Sequence, residues 1–377
     1  ERIRTMVSKQ FVCPEVGLLP EHLILEPTFV CPILGLRGRF DVMTDDFCRI
    51  LELKSGKAEG FGNAPLRPKD EHVLQMSLYK EILHFNRNIP RNEIETYLLY
   101  SLYPYLWNQR SAMEDVARVL MLRNRIVALE MQLRSSDAWH DCLSTLSVES
   151  LNTTRMSGRF FEQYLAPQLQ DLLRPMQEAK GVLRSYFCEQ MAFLYREHFL
   201  SKTDNNRIGS TRGFSRVWRM DAASKVASGD MIPQLYIHEL FGEEETHSTD
   251  IPKIDEELRP YSPDIPKGEG ASKVYRDPHT ITRIVFRMPD LGEGYIPNFN
   301  IGEMVQCYQQ TSEDDNVSTS LLLRGYIRDM SARYLTLDLS FPQRHVALFS
   351  RTSTYVIERD STDVPMRHAM RGVYALL

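Results

Sequence analysis

The sequence predicts an α/β core with a mixed central sheet and flanking helices, followed by a small β-barrel. Up to residue 102 the periodic segments follow the order strand, strand, helix, strand, and further helices come next, which is typical of an α/β core. From about residue 271 the chain changes to short strand-like runs at regular spacing, which is typical of a small barrel. The 377 residues, 42% of them hydrophobic, are enough for two or three domains.

The first extended segment covers residues 22–58. HLILEPTFV alternates in part, GLRGRFDVMTD follows, and RILELKSG is a short alternating run that ends at a glycine. TDD supplies the turn between the last two runs. The Gly- and Pro-rich residues 59–70 are expected to form a loop, and ETYLLYSL, residues 95–102, is expected to form a strand of the same sheet.

Helical periodicity appears on both sides of that last strand. Apolar residues at helical spacing predict a helix over residues 71–87, with Asp70 as its N-cap. Further helices are predicted over 111–134 and 159–200. With the strands, they complete a first domain predicted to span residues 1–200.

The composition changes after residue 200. Residues 202–225 hold six basic and two acidic side chains, and residues 242–257 hold seven acids against one lysine before a Pro- and Gly-rich run. We therefore predict a helical connector and an acidic flexible linker over 201–270. The barrel domain is predicted over 271–360, and residues 361–377 form a closing segment.

Charge and cysteine usage limit the class of protein. The net charge of -5 and the pI of about 6.1 show no overall signature of nucleic-acid binding, although a local basic groove remains compatible with them. Six scattered cysteines without a CxxC pair indicate reduced thiols, and we expect a cytoplasmic protein, nucleoid-associated if prokaryotic. No apolar run has the ~18–20 residues of a membrane span and no signal peptide opens the chain, so no membrane partner is expected. Because it opens at Glu1, we expect a piece of a longer polypeptide.

Two acids and a lysine lie in the second and third runs of the extended segment. A turn between those runs would bring the carboxylates of Asp41 and Glu52 to one edge of the sheet, and Glu52 and Lys54 would point to the same face. With the carbonyl of Leu53, the two carboxylates would suit Mg²⁺ or Mn²⁺. Lys54 could then orient an attacking water or stabilise phosphate charge. The alternative is an ordinary solvated salt bridge on a strand.

The predicted helix 71–87 presents a polar pair toward the same site. Gln75 and Tyr79 are one turn apart and share a face, from which they could contact the lysine, a bound water or a DNA phosphate. Their alternative role is a helix flank. His72, one turn before Gln75, could also face the site, or it could cap or flank the helix.

Three stretches, GLRGRFDVM, ILELKSGKA and HVLQMSLYKEIL, together resemble the RecB-type branch of the PD-(D/E)XK nucleases. The resemblance covers roughly residues 20–200 and implies a PD-(D/E)XK core that binds Mg²⁺ or Mn²⁺. By this resemblance the catalytic residues are Asp41, Glu52, Lys54, Gln75 and Tyr79, and the metal ligands are Asp41, Glu52 and Leu53. Such nucleases often add an upstream His or Glu, for which Glu15, His22 and Glu26 are the candidates here.

Nucleic-acid contacts are expected from five residues: Gln75, Tyr79, Arg39, Arg123 and Trp218. Arg123 and Asn124 match an Arg-Asn pair in the helix that follows the core of these nucleases. Trp218 lies in a stretch that mixes cations with aromatic rings, a combination that holds single strands, or else it packs as part of a charged connector.

The second half resembles another family. FNIGEMVQCYQQ, LLLRGYIRDMSARYLTLDL and TYVIERDSTDVPMRHAMRGVYALL are similar to the β-barrel of superfamily 1 helicases and to the segment that leads into their motor. A C-terminal helicase motor in the same full-length chain is therefore an expected partner. The 377 residues contain no GxxxxGK[ST] phosphate loop.

An iron–sulfur cluster, which many of these nucleases hold, is not predicted. Cys13 or Cys31 could supply a ligand before the core, but Cys142 and Cys188, which follow it, are far apart in sequence.

Together these features predict a metal-dependent deoxyribonuclease that acts on single-stranded or flap DNA, as part of a nuclease-helicase for replication or repair. The main alternative is a catalytically inactive nuclease fold that binds DNA or docks a partner. A nuclease for RNA or duplex ends is a third possibility. The resemblance favours single-stranded DNA, because such sites are threaded by a motor.

Overall fold

The structure, a computed structural model, describes residues 7, 11, 20–60, 66–109, 112–203, 213–243, 280–292, 295–360 and 363–377. These residues form two compact units. The first combines Glu1–Arg110 with Met231–Arg359, and the second combines Ser111–Asp230 with Asp360–Leu377. The sheet and the barrel, which we predicted as separate domains, thus belong to one unit.

Seven strands precede the helical unit. In chain order they are β1 (Leu23–Leu25), β2 (Thr28–Cys31), β3 (Leu36–Arg39), β4 (Val42–Thr44), β5 (Arg49–Lys54), β6 (Glu95–Tyr100) and β7 (Trp107–Gln109). Five of them form a sheet in the order β1-β4-β5-β6-β7, while β2 and β3 pair separately. Only β5 and β6 are parallel in this sheet, so the predicted mixed sheet is confirmed.

Helix α1 (Asp70–Arg87) is the crossover between the two parallel strands, which need a long connection of this kind. It buries Met76, Tyr79, Ile82 and Leu83. The predicted N-cap was wrong by one position: Lys69 occupies it, and Asp70 is the first helical residue. No side chain caps this end; instead the hydroxyl of Tyr100 accepts the N–H of Lys69. In the first turn, the negative charge of Asp70 still interacts favourably with the positive end of the helix dipole.

The second half of this unit is a closed six-stranded barrel with the strand order β10-β11-β12-β9-β8-β13, which confirms the predicted barrel. Its strands are β8 (Met231–Glu243), β9 (Thr280–Arg287), β10 (Met304–Gln310), β11 (Leu323–Met330), β12 (Tyr334–Gln343) and β13 (Thr354–Arg359). A short 3₁₀ helix, Val346–Phe349, precedes β13. Inward side chains fill the barrel, among them Ile232, Leu235, Ile284, Phe286, Leu335 and Ile357.

The barrel therefore begins earlier than residue 271. Strand β8 lies within the region that we predicted to be connector and linker. It contains Pro233, and Gln234 has a φ of 52°, at a register shift against β13. A bulge of this kind interrupts the alternation of apolar residues by which a strand is recognised.

Hydrogen bonds join the sheet region to the barrel inside this unit. Thr28 and Leu322 exchange two backbone hydrogen bonds of 3.0 and 3.1 Å. The side chain of Gln343 acts like a further strand residue, accepting the N–H of Leu25 at 3.1 Å and donating to its carbonyl at 2.7 Å. Asn86, near the end of α1, donates to the carbonyls of Val30 and Ser318.

The second unit is helical. Its helices are α2 (Met113–Gln132), α3 (Ser136–Thr145), α4 (Val148–Leu151), α5 (Ala166–Glu178), α6 (Gly181–Lys202), α7 (Phe214–Arg219), α8 (Ala222–Ala227) and α9 (Val364–Tyr374), with a π-helical turn over Phe161–Leu165. Its buried cluster contains Leu133, Trp139, Leu143, Phe187, Cys188, Met191 and Ala192. The helical structure predicted over 159–200 consists of three segments, and Gly181, with a φ of 54°, begins the last. No helix in the described part of the chain is long and apolar enough to span a bilayer.

We predict that Gln343→Ala lowers the free energy of unfolding by about 2 kcal/mol or more, because it leaves the backbone N–H and C=O of Leu25 without their partner in a buried place. Urea denaturation followed by circular dichroism measures this. Gln132→Ala, at an exposed position in the last turn of α2, is the control and should change stability by no more than about 0.5 kcal/mol. Equal stability of the two variants would contradict the bridging role of Gln343.

Candidate active site

The hairpin of β4 and β5 positions the two predicted acids. Val42 pairs with Leu51 in the antiparallel register, so Asp41, immediately before β4, comes beside Glu52. An oxygen of the Asp41 carboxylate accepts the backbone N–H of Leu53 at 2.7 Å. This hydrogen bond fixes the carboxylate against β5, and a carboxylate retains acceptor capacity after one such bond.

Glu52 is the most deeply buried charged group of this site, with 4% of its surface exposed. Its Oε1 accepts from the Lys54 ammonium at 2.7 Å and from the Gln75 amide at 2.9 Å. Its Oε2 is buried and has no hydrogen-bond partner among the described residues. Burial raises the pKa of this carboxyl, the hydrogen bond from Lys54 opposes the rise, and the charge of Asp41 adds to it.

A chain of hydrogen bonds connects the lysine to helix α1. The ammonium of Lys54 donates to the carbonyl oxygen of Gln75 at 2.7 Å. The amide nitrogen of Gln75 donates to the hydroxyl of Tyr79 at 2.6 Å, which donates to the carbonyl of Arg39 at 2.7 Å. Burial raises the pKa of Tyr79, and the charge of Glu52 raises it further, so its hydroxyl stays protonated. Gln75 and Tyr79 are therefore both held in place by hydrogen bonds.

Gly38, on β3, allows helix α1 to approach that strand closely. It stands three residues before Asp41, and a Cβ built on it would lie 2.8 Å from the end of Ile82 and 3.1 Å from the ring of Phe40. Both neighbours are almost fully buried, so neither can move away freely. A side chain here would push α1 from β3 and disturb the contact of Tyr79 with Arg39.

Glu26 is a third acid near the site. It follows β1 with a φ of 51°, and its N–H donates to the Asp41 carbonyl at 3.0 Å. Its carboxylate lies 2.9 Å from the guanidinium of Arg39. Burial raises the pKa of Glu26; Arg39 lowers it, and the charges of Asp41 and Glu52 raise it. The only local sequence feature at Glu26 is an acid before Pro27, because its contact with the other acids is made by tertiary structure.

The other upstream candidates take different positions. His22 makes an ion pair with Asp45, with Nδ1 and Oδ2 2.7 Å apart, and Glu15 lies outside the described residues. Of the two candidates that the structure describes, Glu26 is therefore the one whose pKa is raised by the charges of Asp41 and Glu52.

His72 is held by Tyr100 rather than by an acid. Its Nδ1 lies 2.7 Å from the hydroxyl of Tyr100, which also accepts the N–H of Lys69 at 3.0 Å. Burial lowers the pKa of His72, and the positive charge of Lys54 lowers it further. A neutral imidazole one helical turn before Gln75 therefore borders the site without carrying charge into it.

The first unit brings together seven of the predicted residues: Arg39, Asp41, Glu52, Leu53, Lys54, Gln75 and Tyr79. Arg123 and Trp218 belong to the second unit. Arg123 donates to the side chain of Asn124 at 2.7 Å, and Trp218 is half-buried with its ring centroid 6.2 Å from that of Phe214.

The donor set fits a hard divalent cation. Carboxylate oxygens of Asp41 and Glu52 and the carbonyl of Leu53 are the ligand type that Mg²⁺ and Mn²⁺ prefer. A buried carboxylate oxygen without a hydrogen bond, such as Glu52 Oε2, is costly unless a cation compensates it. No preformed cage of three His, Cys, Asp or Glu side chains is found within the described ranges. Mg²⁺ usually keeps several water ligands beside one or two carboxylates.

Comparison with known proteins identifies no matching family model, and no curated protein matches the chain at a significant level. The resemblance to PD-(D/E)XK nucleases therefore rests on the three quoted motifs.

We predict that Glu52→Gln stabilises the metal-free protein increasingly as the pH rises. An acid whose pKa is raised by folding holds its proton more tightly in the folded state, so the wild type loses stability from about pH 4.3 upward through the raised pKa. The difference in free energy of unfolding should grow across that window and then level off, in urea titrations with EDTA. Saturating Mg²⁺ should stabilise the wild type more than the variant. A difference that shrinks with rising pH would contradict the assignment.

We predict that Gly38→Ala destabilises the protein by about 1–3 kcal/mol, because the added methyl group overlaps Ile82 and Phe40 in a packed interior. Thermal denaturation measures the change. Gly56→Ala is the matched control: a Cβ there meets no atom within 4 Å, so little destabilisation is expected. A similar loss at both glycines would show that backbone freedom, rather than the close approach of α1, is the constraint.

Proposed function

We propose that this chain is a metal-dependent deoxyribonuclease with a PD-(D/E)XK type of core, which hydrolyses phosphodiester bonds in single-stranded or flap DNA. The observation that carries the proposal is the arrangement of Asp41, Glu52 and Lys54 at the hairpin of β4 and β5, with an unpaired buried oxygen on Glu52. A buried acceptor without a hydrogen-bond partner calls for an explanation, and a bound cation would supply one.

Asp41, Glu52 and the carbonyl of Leu53 would hold Mg²⁺ or Mn²⁺. When bound, such an ion offsets the charge of a phosphate and lowers the pKa of its water, which supports in-line attack on a phosphodiester. Within the protein, the N–H of Leu53 orients the Asp41 carboxylate. Lys54 and Gln75 orient the Glu52 carboxylate, because both donate to its Oε1. Its Oε2 would then be available to the metal ion.

Lys54 acts as a cation in this proposal. Its ammonium donates to the carboxylate of Glu52 and to the amide oxygen of Gln75. A charged lysine cannot accept a proton, so it is unsuited to be the base that activates water. It can orient the attacking water and stabilise the additional negative charge of the transition state.

Gln75 and Tyr79 are positioning residues. Gln75 contacts both Glu52 and Lys54, and Tyr79 contacts Gln75 and the carbonyl of Arg39. Because the Tyr79 hydroxyl is held protonated, it works as a hydrogen-bond donor rather than as a nucleophile. The pair sets the position of the ammonium relative to the carboxylate, and a small displacement of such a group costs much of the rate.

The resemblance of the barrel region to superfamily 1 helicases extends this proposal to the full-length protein. A motor that follows the present chain would deliver single-stranded DNA to the nuclease site. This part rests on sequence likeness alone.

We predict that the 377-residue chain cuts labelled single-stranded and flapped DNA with Mg²⁺ or Mn²⁺, and that Asp41→Asn, Glu52→Gln and Lys54→Met each lower the rate by about 10²-fold or more. Gel electrophoresis of the labelled products measures cleavage. The control is Glu95→Gln, which removes the carboxylate of another acid-base pair, with Arg49 at 3.1 Å, on the neighbouring strand β6. Its rate should remain near that of the wild type.

Two outcomes would overturn parts of this proposal. If the three site variants cut as well as the wild type, the site is elsewhere. If nothing is cut while DNA still binds, and Mg²⁺ does not raise the melting temperature, the chain is the inactive DNA-binding module considered above.

A further inference from the structure

One face of the barrel exposes aromatic rings to solvent. Tyr236 on β8 is 47% exposed and Tyr334 on β12 is 39% exposed, and Phe241, near the end of β8, is exposed as well. Large aromatic side chains are usually buried, so several exposed on one barrel wall call for an explanation.

The rings are in register. Arg287 on β9 pairs with Tyr334 on one side and with Tyr236 on the other. Residues that are directly opposite on adjacent strands point to the same face. All three side chains are exposed, so Tyr236, Arg287 and Tyr334 form one row across three strands on the outside of the barrel. This row is called the tyrosine-arginine row below.

A bulge adds a third ring to the row. His238 lies at a register shift of β8, and its ring centroid is 4.9 Å from that of Tyr334. Arg351 donates a hydrogen bond of 2.8 Å to the carbonyl of His238 and so holds the bulge in place. The bulge turns the imidazole toward Tyr334 across β9.

The charges near the row favour an anion. Arg287 and the neighbouring exposed Arg333 form no ion pair within the described part of the chain. Asp338 is neutralised by two arginines, Arg283 and Arg328, at 2.5 and 3.1 Å. Beside the row, a groove of about 1060 Å³ is lined in part by Arg287, Arg333 and Tyr334.

Two further acids lie close by. Asp290 lines the same groove, and its carboxylate accepts the N–H of Gly292 in a turn. Glu239 lies on β8 opposite Val285, beyond the bulge that follows Tyr236. The groove is therefore of mixed charge, and the row itself carries the cation Arg287.

We propose that the tyrosine-arginine row binds single-stranded DNA, with bases stacked on Tyr236 and Tyr334 and phosphates beside Arg287 and Arg333. Flat rings separated by a guanidinium offer a stacking surface for each base and a cation for each linkage, which is how single strands are held without sequence preference. The choice of DNA over RNA rests on the proposed nuclease function. The row itself is independent of the residues assigned to cleavage.

The surface fits a single strand better than the other occupants. In a duplex the base faces are stacked on each other and are not available to the tyrosines. A protein partner would need a larger apolar patch, whereas the two tyrosines here flank a guanidinium group that forms no ion pair with the residues the structure describes.

Binding of a labelled oligothymidylate, measured by fluorescence anisotropy in EDTA to prevent cleavage, tests this proposal. Tyr236→Ala and Tyr334→Ala should each weaken binding by about 10-fold or more. Arg287→Ala should reduce the slope of log K against log salt by about 0.7, the value for one phosphate contact on a single strand, while the tyrosine variants leave that slope unchanged. Tyr334→Trp should keep wild-type affinity, and Tyr334→Leu should lose it.

Tyr326→Ala is the matched control, because Tyr326 is 42% exposed on the same barrel but lies on β11, outside the row. It should bind like the wild type. Wild-type binding by the Tyr236 and Tyr334 variants, or equal competition by a duplex of the same length, would overturn the proposal. If the wild type cleaves DNA but the row variants bind DNA normally, the proposal for the tyrosine-arginine row is refuted and the nuclease function is not. Loss of binding in those variants without any cleavage would refute the nuclease function alone.

Discussion

The buried ion pair of Glu52 and Lys54 is the constraint on which the sheet region of the first unit depends. Removing two charges from water is costly, and the cost is recovered only where further hydrogen bonds satisfy both groups. Gln75 supplies bonds to both members, and Tyr79 fixes Gln75 to the backbone of Arg39. The helix must therefore lie close to the hairpin, and Gly38 permits that approach.

Helix α1 transmits this constraint to the barrel. Gln75, near its beginning, belongs to the polar network, and Asn86, near its end, bonds to carbonyls of β2 and of the loop before β11. At 1.5 Å per residue the two side chains start roughly 16 Å apart along the helix axis. One rigid helix thus orients the candidate site and anchors the barrel, which explains why both form a single unit.

Much of this arrangement could be predicted from local patterns. The period of the apolar residues located β5, α1 and β6, and the spacing of Asp41, Glu52, Lys54, Gln75 and Tyr79 predicted a common site. What could not be predicted depends on contacts between distant segments. The N-cap differs because Tyr100 satisfies Lys69, and Glu26 comes near the acids through its backbone bond to Asp41. Strand β8 was missed because bulges interrupt its alternation.

The bridge between Leu25 and Gln343 joins residues 318 positions apart in the chain. On a ribosome, the amino-terminal strands emerge long before the residues that pair with Thr28 and Leu25 exist. Residues 111–230, which supply most of the second unit, are synthesised before the barrel strands. During synthesis, the backbone groups of Leu25 and Thr28 therefore remain unpaired until the barrel has been made. Strands with unpaired backbone groups are prone to associate with other chains. A polypeptide shortened at residue 230 would leave those backbone groups of Leu25 and Thr28 unpaired permanently, because residues of the barrel region supply their partners.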